Sequence, residues 1–317
     1  MNATNQQILK SNKHGMWIRK LYNKDNVESK QRFRIDGVFP DNYNEGIRQR
    51  REKQMEQKLL FFDIDGTLIT EGPGVLPEST RQAVKQAKEK GHFLFVNTGR
   101  TLKSLPKKIT ELGFSGYVCG CGTNIFLNGE ELLCSRLDHE LCRQIAKKVG
   151  EYQVPVFYEA MDAIYSDHRM QEHPWVREIE KAMDMHAADI EEIFQDETKV
   201  YEKLVVILEP TEKNQELKEY LSKYFQCIDR GHDMYEMIQK GYSKATGIRF
   251  LCEYLGKSIE DCYVFGDSEN DRAMLEAVPN SIAMGNAKEA VKSVCSYVTA
   301  DIEEDGIYKA MKHFGLI

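Results

Sequence analysis

Asp63 and Asp65 stand one residue apart, ahead of Gly66 and Thr67 and directly after the apolar run Leu59, Leu60, Phe61 and Phe62. Carboxylates are costly to bury, and an unpaired one in a dry site takes up a proton. A core strand that ends in two acids therefore needs cations close by. Three further stretches offer matching chemistry: Asn97-Thr98-Gly99-Arg100, the single Lys244, and Gly266-Asp267-Ser268-Glu269-Asn270-Asp271. Each taken alone also reads as a turn, a helix cap or a solvated charge. Together they suit phosphoryl transfer through a covalent aspartyl intermediate. A carboxylate nucleophile splits one difficult displacement into two easier ones, and Asp63, ending a rigid strand, can hold its oxygen in line. Asp65 can protonate the leaving oxygen and later take the proton from the attacking water. Lys244 supplies a point charge and Thr98 a hydrogen bond for the phosphoryl oxygens. Asp267 and Asp271 offer oxygens to a hard cation, and Mg²⁺, held by one or two carboxylates plus substrate phosphate, fits that set. The chain has no G-x-x-x-x-G-K-[ST] stretch, so a P-loop nucleotide enzyme has no support.

These residues need strand ends to hold them, and the pattern supplies such ends. Short apolar strands alternate with helices from residue 58 onward, which predicts a parallel sheet with right-handed crossovers. Strand 58–63 leads to a helix over "ESTRQAVKQAKEKG", with Ser79 or Thr80 near its N-cap and Gly91 past its end. Strand "HFLFVNTG" follows, then helix "LKSLPKKITELG" and the strand and hairpin of "GYVCGCGTNIFLNGEELL". Near the C-terminus, helices over "SKATGIRFLCEYLG", "ENDRAMLEAV", "AKEAVKSVC" and "GIYKAMKHF" separate strands "DCYVFGD", "SIAMGN" and "SYVT". Residues 137–236 have a different grammar, with strands paired locally, so they read as an α+β module inserted into the α/β domain. The expected organisation is a doubly wound, Rossmann-like core of residues 56–136 and 237–317 around that insert.

Residues 1–55 stand apart. They carry 12 Lys+Arg against 6 Asp+Glu, a net of +6, while the rest of a chain totalling −7 is acidic. They show no sustained period and are expected to form a poorly ordered extension. "RQRREKQM" also suits translated upstream sequence with initiation at Met55. The acidic body argues against a general nucleic-acid binder. No apolar run is long enough for a bilayer, and the N-terminus lacks a secretory h-region. Eight cysteines in 317 residues suit reduced thiols and a cytoplasmic protein. Cys119 and Cys121 have no second pair for a zinc site, and His168 and His173, at i, i+5, suit no common ligand pair.

"FFDIDGTL", "VNTGR", "GYSKATGI" and "GDSENDRAML" resemble the four ordered motifs of the haloacid dehalogenase superfamily. The insert resembles the α/β cap of its Cof-type branch, as do "SIAMGNAKEAVK" and "YVTADIEEDGIYKAM". The resemblance implies Asp63 as nucleophile and Asp65 as general acid/base. It implies Mg²⁺ held by Asp63, the Asp65 backbone carbonyl and Asp267, with Asp271 coordinating or behind them. Thr98 and Lys244 would bind phosphate, Asn270 would orient it or Lys244, and Gly66 would allow a tight turn. Gly99 and Arg100 belong to the same substrate-binding set. An aspartate at 65 fits members that protonate an ester oxygen, namely phosphatases and some phosphomutases. Where many Cof-type members resemble "NGA", this chain has Cys121 and Thr123. The expected activity is Mg²⁺-dependent hydrolysis of small phosphorylated metabolites, sugar phosphates or phosphorylated cofactors, with a phosphomutase as the alternative. No nucleic-acid or membrane partner is expected, and the chain would be a monomer or weak homodimer. Cap contacts are expected from the 154–170 hairpin, with Tyr158, Glu159, Asp162, Tyr165, His168 and Arg169 as candidates.

Overall fold

The computed structural model describes residues 57–182 and 185–317, with two short strands before them. These are β1 (Lys10–Ser11) and β2 (Trp17–Ile18), paired antiparallel. The expectations for the remainder of residues 1–55, including a start at Met55, lie outside the described residues.

Strand β3 (Leu59–Phe62) is buried on both faces, as its unbroken apolar run requires. Leu60 and Phe62 pack into one hydrophobic cluster, and Leu59 and Phe61 into the other. Helix α1 (Glu78–Glu89) covers the first cluster with Ala83, Val84 and Ala87. Its N-cap is Pro77, without a side-chain cap, so Ser79 and Thr80 sit inside the first turn rather than before it. Gly91 follows the helix with φ +89°. Strand β4 (Phe93–Asn97) comes next. The helix expected over "LKSLPKKITELG" is broken. Pro106 forces Leu105 into an extended conformation, leaving one 3₁₀ turn at Leu102–Ser104 and the short α2 (Lys107–Thr110).

Strands β5 (Gly116–Cys119), β6 (Asn124–Leu127) and β7 (Glu130–Cys134) complete this half. Asn128 and Gly129, both at positive φ, turn the β6–β7 hairpin. β2 pairs antiparallel with β7 at the sheet edge.

The chain then enters the insert through helix α3 (His139–Tyr152), N-capped by Asp138, and strands β8 (Val156–Glu159) and β9 (Ile164–Ser166). Helix α4 (Pro174–Ala182), strand β10 (Ala188–Asp189) and helix α5 (Glu191–Gln195) lead to β11 (Lys203–Ile207). Helix α6 (Glu212–Leu221) and strands β12 (Phe225–Asp229) and β13 (Met234–Gln239) close the insert. Its six strands run in the order β10-β9-β8-β11-β13-β12. β13 continues to Gln239, three residues past the boundary read from the sequence. The two chain crossings into and out of the insert are joined there: Ser135 Oγ donates to Gln239 Oε1 at 2.9 Å, and Gln239 Nε2 donates to Ser135 O at 3.0 Å.

Helix α7 (Lys244–Leu255) re-enters the core, followed by β14 (Cys262–Gly266), α8 (Arg272–Ala277) and β15 (Asn280–Ala283). Helix α9 (Glu289–Lys292), strand β16 (Tyr297–Val298) and helix α10 (Gly306–His313) finish the chain. Strands β5-β4-β3-β14-β15-β16 lie side by side and parallel. The chain winds one way from β3 and the other way from β14, so the reversal falls between them. Open α/β sheets bind ligands beyond the carboxyl ends of strands at such a point. Among the described residues, no helix is long and apolar enough to cross a membrane.

Candidate active site

Asp63 follows the last residue of β3, and its N–H donates to Phe265 O of β14 at 3.0 Å, so the reversal point itself aims it. The chain then turns tightly, with Leu68 and Ile69 both donating N–H to Ile64 O. Gly66 has φ +80°, and a Cβ there would overlap the Asp267 carboxylate. Gly66→Ala is therefore expected to combine a left-handed backbone penalty of about 1 kcal/mol with displacement of Asp267. Its thermal midpoint should fall and its activity should drop at least about tenfold, by phosphate-release assay.

Helix α7 starts at Lys244 because Ser243 caps it, accepting from Thr246 N, and Asn97 Nδ2 of β4 holds Lys244 O at 3.1 Å. The Lys244 side chain is fully buried. Its Nζ donates to Asp63 Oδ1 at 2.6 Å and also to Asp271 Oδ1. The other Asp271 oxygen accepts from the backbone N–H groups of Asp267 and Ser268, both at 3.0 Å, so Asp271 fixes the loop after β14. Thr67 Oγ1 donates to Asp267 Oδ1 at 2.7 Å, which ties that loop to the turn after β3. Asp63, Asp267 and Asp271 place carboxylate oxygens within 4.8 Å of one another. An all-oxygen set of this kind fits a hard divalent cation rather than a soft one.

Burial, then the neighbouring Asp271, pushes the Asp63 carboxyl up to about 7, against the pull of Lys244. Burial, then Asp63 and Asp271, pushes Asp267 up to about 8. Raised acids weaken a fold as they ionise, because the unfolded chain gives up the same protons near its ordinary value of 3.8. Their cost is absent below that value and complete above pH 8. The metal-free protein is therefore expected to melt at a lower temperature at pH 9 than at pH 6, with added Mg²⁺ narrowing the difference.

Asp65 points elsewhere. Arg100 Nε donates to its Oδ2 and Nη2 to its Oδ1, both at 2.8 Å, a two-pronged pair at the mouth of the cleft. The Asp65 side chain is thus outside the three-carboxylate group, and Arg100, read as a substrate ligand, engages an acid of the protein. Thr98 is buried beside the cleft, its Oγ1 accepting from Arg100 N at 3.1 Å. Asn270 also lines the cleft, its Oδ1 accepting from Ser268 Oγ at 2.6 Å. Gly99 meets the insert: its carbonyl accepts from Lys203 Nζ at 2.8 Å. Lys203 also donates to Glu236 and lies 3.5 Å from Glu159.

Core and insert enclose a cavity of about 280 Å³ above Asp63, Asp65 and Asn270. Of the six hairpin candidates only Glu159 lines it. Tyr158 and Tyr165 pack on the far face with α3 and α6, because neighbouring strand residues face opposite ways. Arg169 pairs with Asp167, and His168 lies 3.2 Å from Asp189. Phe157, Trp175, Lys203, Val205, Arg230, Met234 and Glu236 take the places the sequence reading left empty. The signal for most of them was the period-2 parity of "KLVVI" and "MYEMI". Cys119 and Cys121 are buried free thiols, and burial pushes Cys121 up to about 12, so packing is their role.

Residues 60–311 match the family model for haloacid dehalogenase-like hydrolases. The putative phosphatase YkrA of Bacillus subtilis is 30% identical over 264 residues, which span 83% of this chain and 100% of the relative. The 5-amino-6-(5-phospho-D-ribitylamino)uracil phosphatase YcsE of the same organism is 25% identical over 271 residues, 84% of this chain and 99% of that one. The solved structure of the subclass IIB sugar phosphatase BT4131 matches with a TM-score of 0.70 at 31% identity, covering 82% of this chain and 100% of that one. With four motifs converging at the sheet reversal and a family match over most of its length, the chain belongs to the haloacid dehalogenase-like hydrolases, in their Cof-type branch of phosphoric monoester hydrolases.

Proposed function

We propose that the protein is a Mg²⁺-dependent phosphatase of small phosphorylated metabolites, sugar phosphates or phosphorylated cofactors, working through an aspartyl-phosphate on Asp63. The observation that carries this reading is Lys244, buried and bridging Asp63 and Asp271 beside Asp267. Asp63, Asp267 and Asp271, with the backbone carbonyl of Asp65, would hold the cation. When bound, Mg²⁺ draws negative charge from the phosphoryl oxygens. Lys244 pulls Asp63 toward its ionised form against the burial that opposes it and fixes one of its oxygens, so the attack geometry is set before substrate arrives. Thr98 and Asn270 line the floor where phosphoryl oxygens come to rest. Asp65 protonates the departing alkoxide and then accepts the proton of the water that attacks the acyl phosphate. The two-pronged pair with Arg100 fixes where the Asp65 carboxyl stands at the mouth of the cleft. The insert lies over the cleft as a lid and limits water at the reacting phosphorus.

The test is release of inorganic phosphate from a panel of phosphorylated metabolites, with and without Mg²⁺. Turnover that falls at least about 100-fold in EDTA and returns with Mg²⁺ is the expected outcome. An isomerised sugar phosphate formed without phosphate release would overturn the reading in favour of a mutase.

A further inference from the structure

The insert's central strands present two faces. Tyr158, Leu204, Val206 and Met237 face the buried cluster beneath α3 and α6, while Phe157, Glu159, Lys203, Val205, Met234 and Glu236 line the cleft. The cleft-lining face is divided. Glu159, Lys203 and Glu236 form a charged knot, Lys203 joining both acids and Gly99 O, with the Cys121 thiol 4.0 Å from Glu236 Oε1. These charges are already engaged and are poorly placed to read the hydroxyls of a substrate.

Beside the knot lies an apolar wall. Phe157 and Ile164 are 3% and 8% exposed, and Trp175 and Ile179 of α4 pack against them with Met185. The Phe157 and Trp175 rings lie with centroids 5.1 Å apart at 39°. Phe157 stands opposite Val205 in the β8–β11 ladder; Val205 in turn faces Glu236 of β13, with Met234 diagonal to it on the same face. Arg230, Ser104 and Ser268 line other parts of the cavity, but a sugar's hydroxyls turned toward this wall would lose water with no polar side chain of the wall to replace it. A flat ring loses nothing comparable and gains stacking contact.

We propose that the leaving group of the substrate carries a single planar ring, seated against Phe157, Ile164, Trp175 and Val205, with its phosphate at Asp63. The class is the phosphate ester of a ring-bearing primary alcohol. The cavity of about 280 Å³ lies at the lower edge of the range for drug-sized ligands, which limits the tail to one ring and a short link. The inference rests on the phosphatase reading and narrows it. In the reaction, Asp63 displaces the ring as its free alcohol, protonated by Asp65, and water then cleaves the acyl phosphate to give inorganic phosphate and the free Asp63 carboxylate.

The experiment compares kcat/KM for pyridoxal 5′-phosphate, glucose 6-phosphate and acetyl phosphate in Mg²⁺, in wild type, Trp175→Ala and Trp175→Phe. The ring ester should exceed glucose 6-phosphate at least about tenfold in wild type. That ratio should fall at least about fivefold in Trp175→Ala, through KM, and be held in Trp175→Phe. A wild type that prefers glucose 6-phosphate overturns the inference on its own, whatever the variants do. So does a ratio that Trp175→Ala leaves unmoved, and in both cases the phosphatase reading stands. If none of the three phosphates turns over, the phosphatase reading fails and this inference falls with it.

Discussion

Asp63→Asn is expected to abolish turnover, with kcat falling at least about 10⁴-fold, because an amide cannot form the acyl phosphate. The fold should survive. Burial and Asp271 already push the Asp63 carboxyl up to about 7, so the amide removes a charge that the site tolerates poorly. An amide oxygen can still accept from Lys244 Nζ. Without metal at pH 8, the variant should melt no lower than wild type. Circular dichroism would follow the fold, and phosphate release from a generic aryl phosphate would follow the chemistry. A variant that keeps its activity on that ester would rule out Asp63 as nucleophile.

Lys244→Met has the largest expected effect on stability. The ammonium is buried and donates to both Asp63 and Asp271. Methionine fills a similar volume but leaves those carboxylates without their cation, and breaking a buried pair from one side costs about 3–5 kcal/mol. The loss should depend on pH in a defined direction. Without the cation, Asp63, already raised to about 7, loses the pull that lowers it and rises further above its unfolded value of 3.8, so the variant loses stability as pH rises from about 4 upward. Urea unfolding should find the variant nearest wild type at pH 5 and furthest from it at pH 8. Activity should be lost as well, since Asp63 would be protonated and its oxygen unplaced.

The elements that carry the chemistry were legible because each obeys a local rule. β3 is apolar without alternation and is buried on both faces, and Ser243 and Gly256 bracket α7 as N-cap and left-handed C-terminal residue. Asp63, Asp267, Asp271 and Lys244 follow from such elements and meet at one point. The failures are equally specific. Pro106 dissolved a helix that periodicity favoured. Among the cap contacts Glu159 was read rightly, while Tyr158 and Tyr165 were off by one residue: the cleft belongs to Phe157, Glu159 and Ile164, and the two tyrosines pack in the cap core. A one-residue shift of parity exchanges the two faces of a strand. The pair between Arg100 and Asp65 spans 35 positions, and no local pattern encodes which partner a guanidinium will choose.

The two crossings between core and insert are joined side by side at Ser135 and Gln239, the arrangement of a double-leaf hinge rather than of two separate tethers. Leaves bonded side by side bend together, so the favoured movement is a swing about one axis and not a slide or a twist. In the arrangement observed Lys203 meets the Gly99 carbonyl while the Phe157–Trp175 wall lies over the cleft, so a swing about that axis would make or break both together. A leaving group too bulky for the wall would hold the door ajar, keep Lys203 from its latch and leave the phosphate open to water before the acids were sealed around it. A hinge of this kind would make the fit of the tail a condition for enclosing the head.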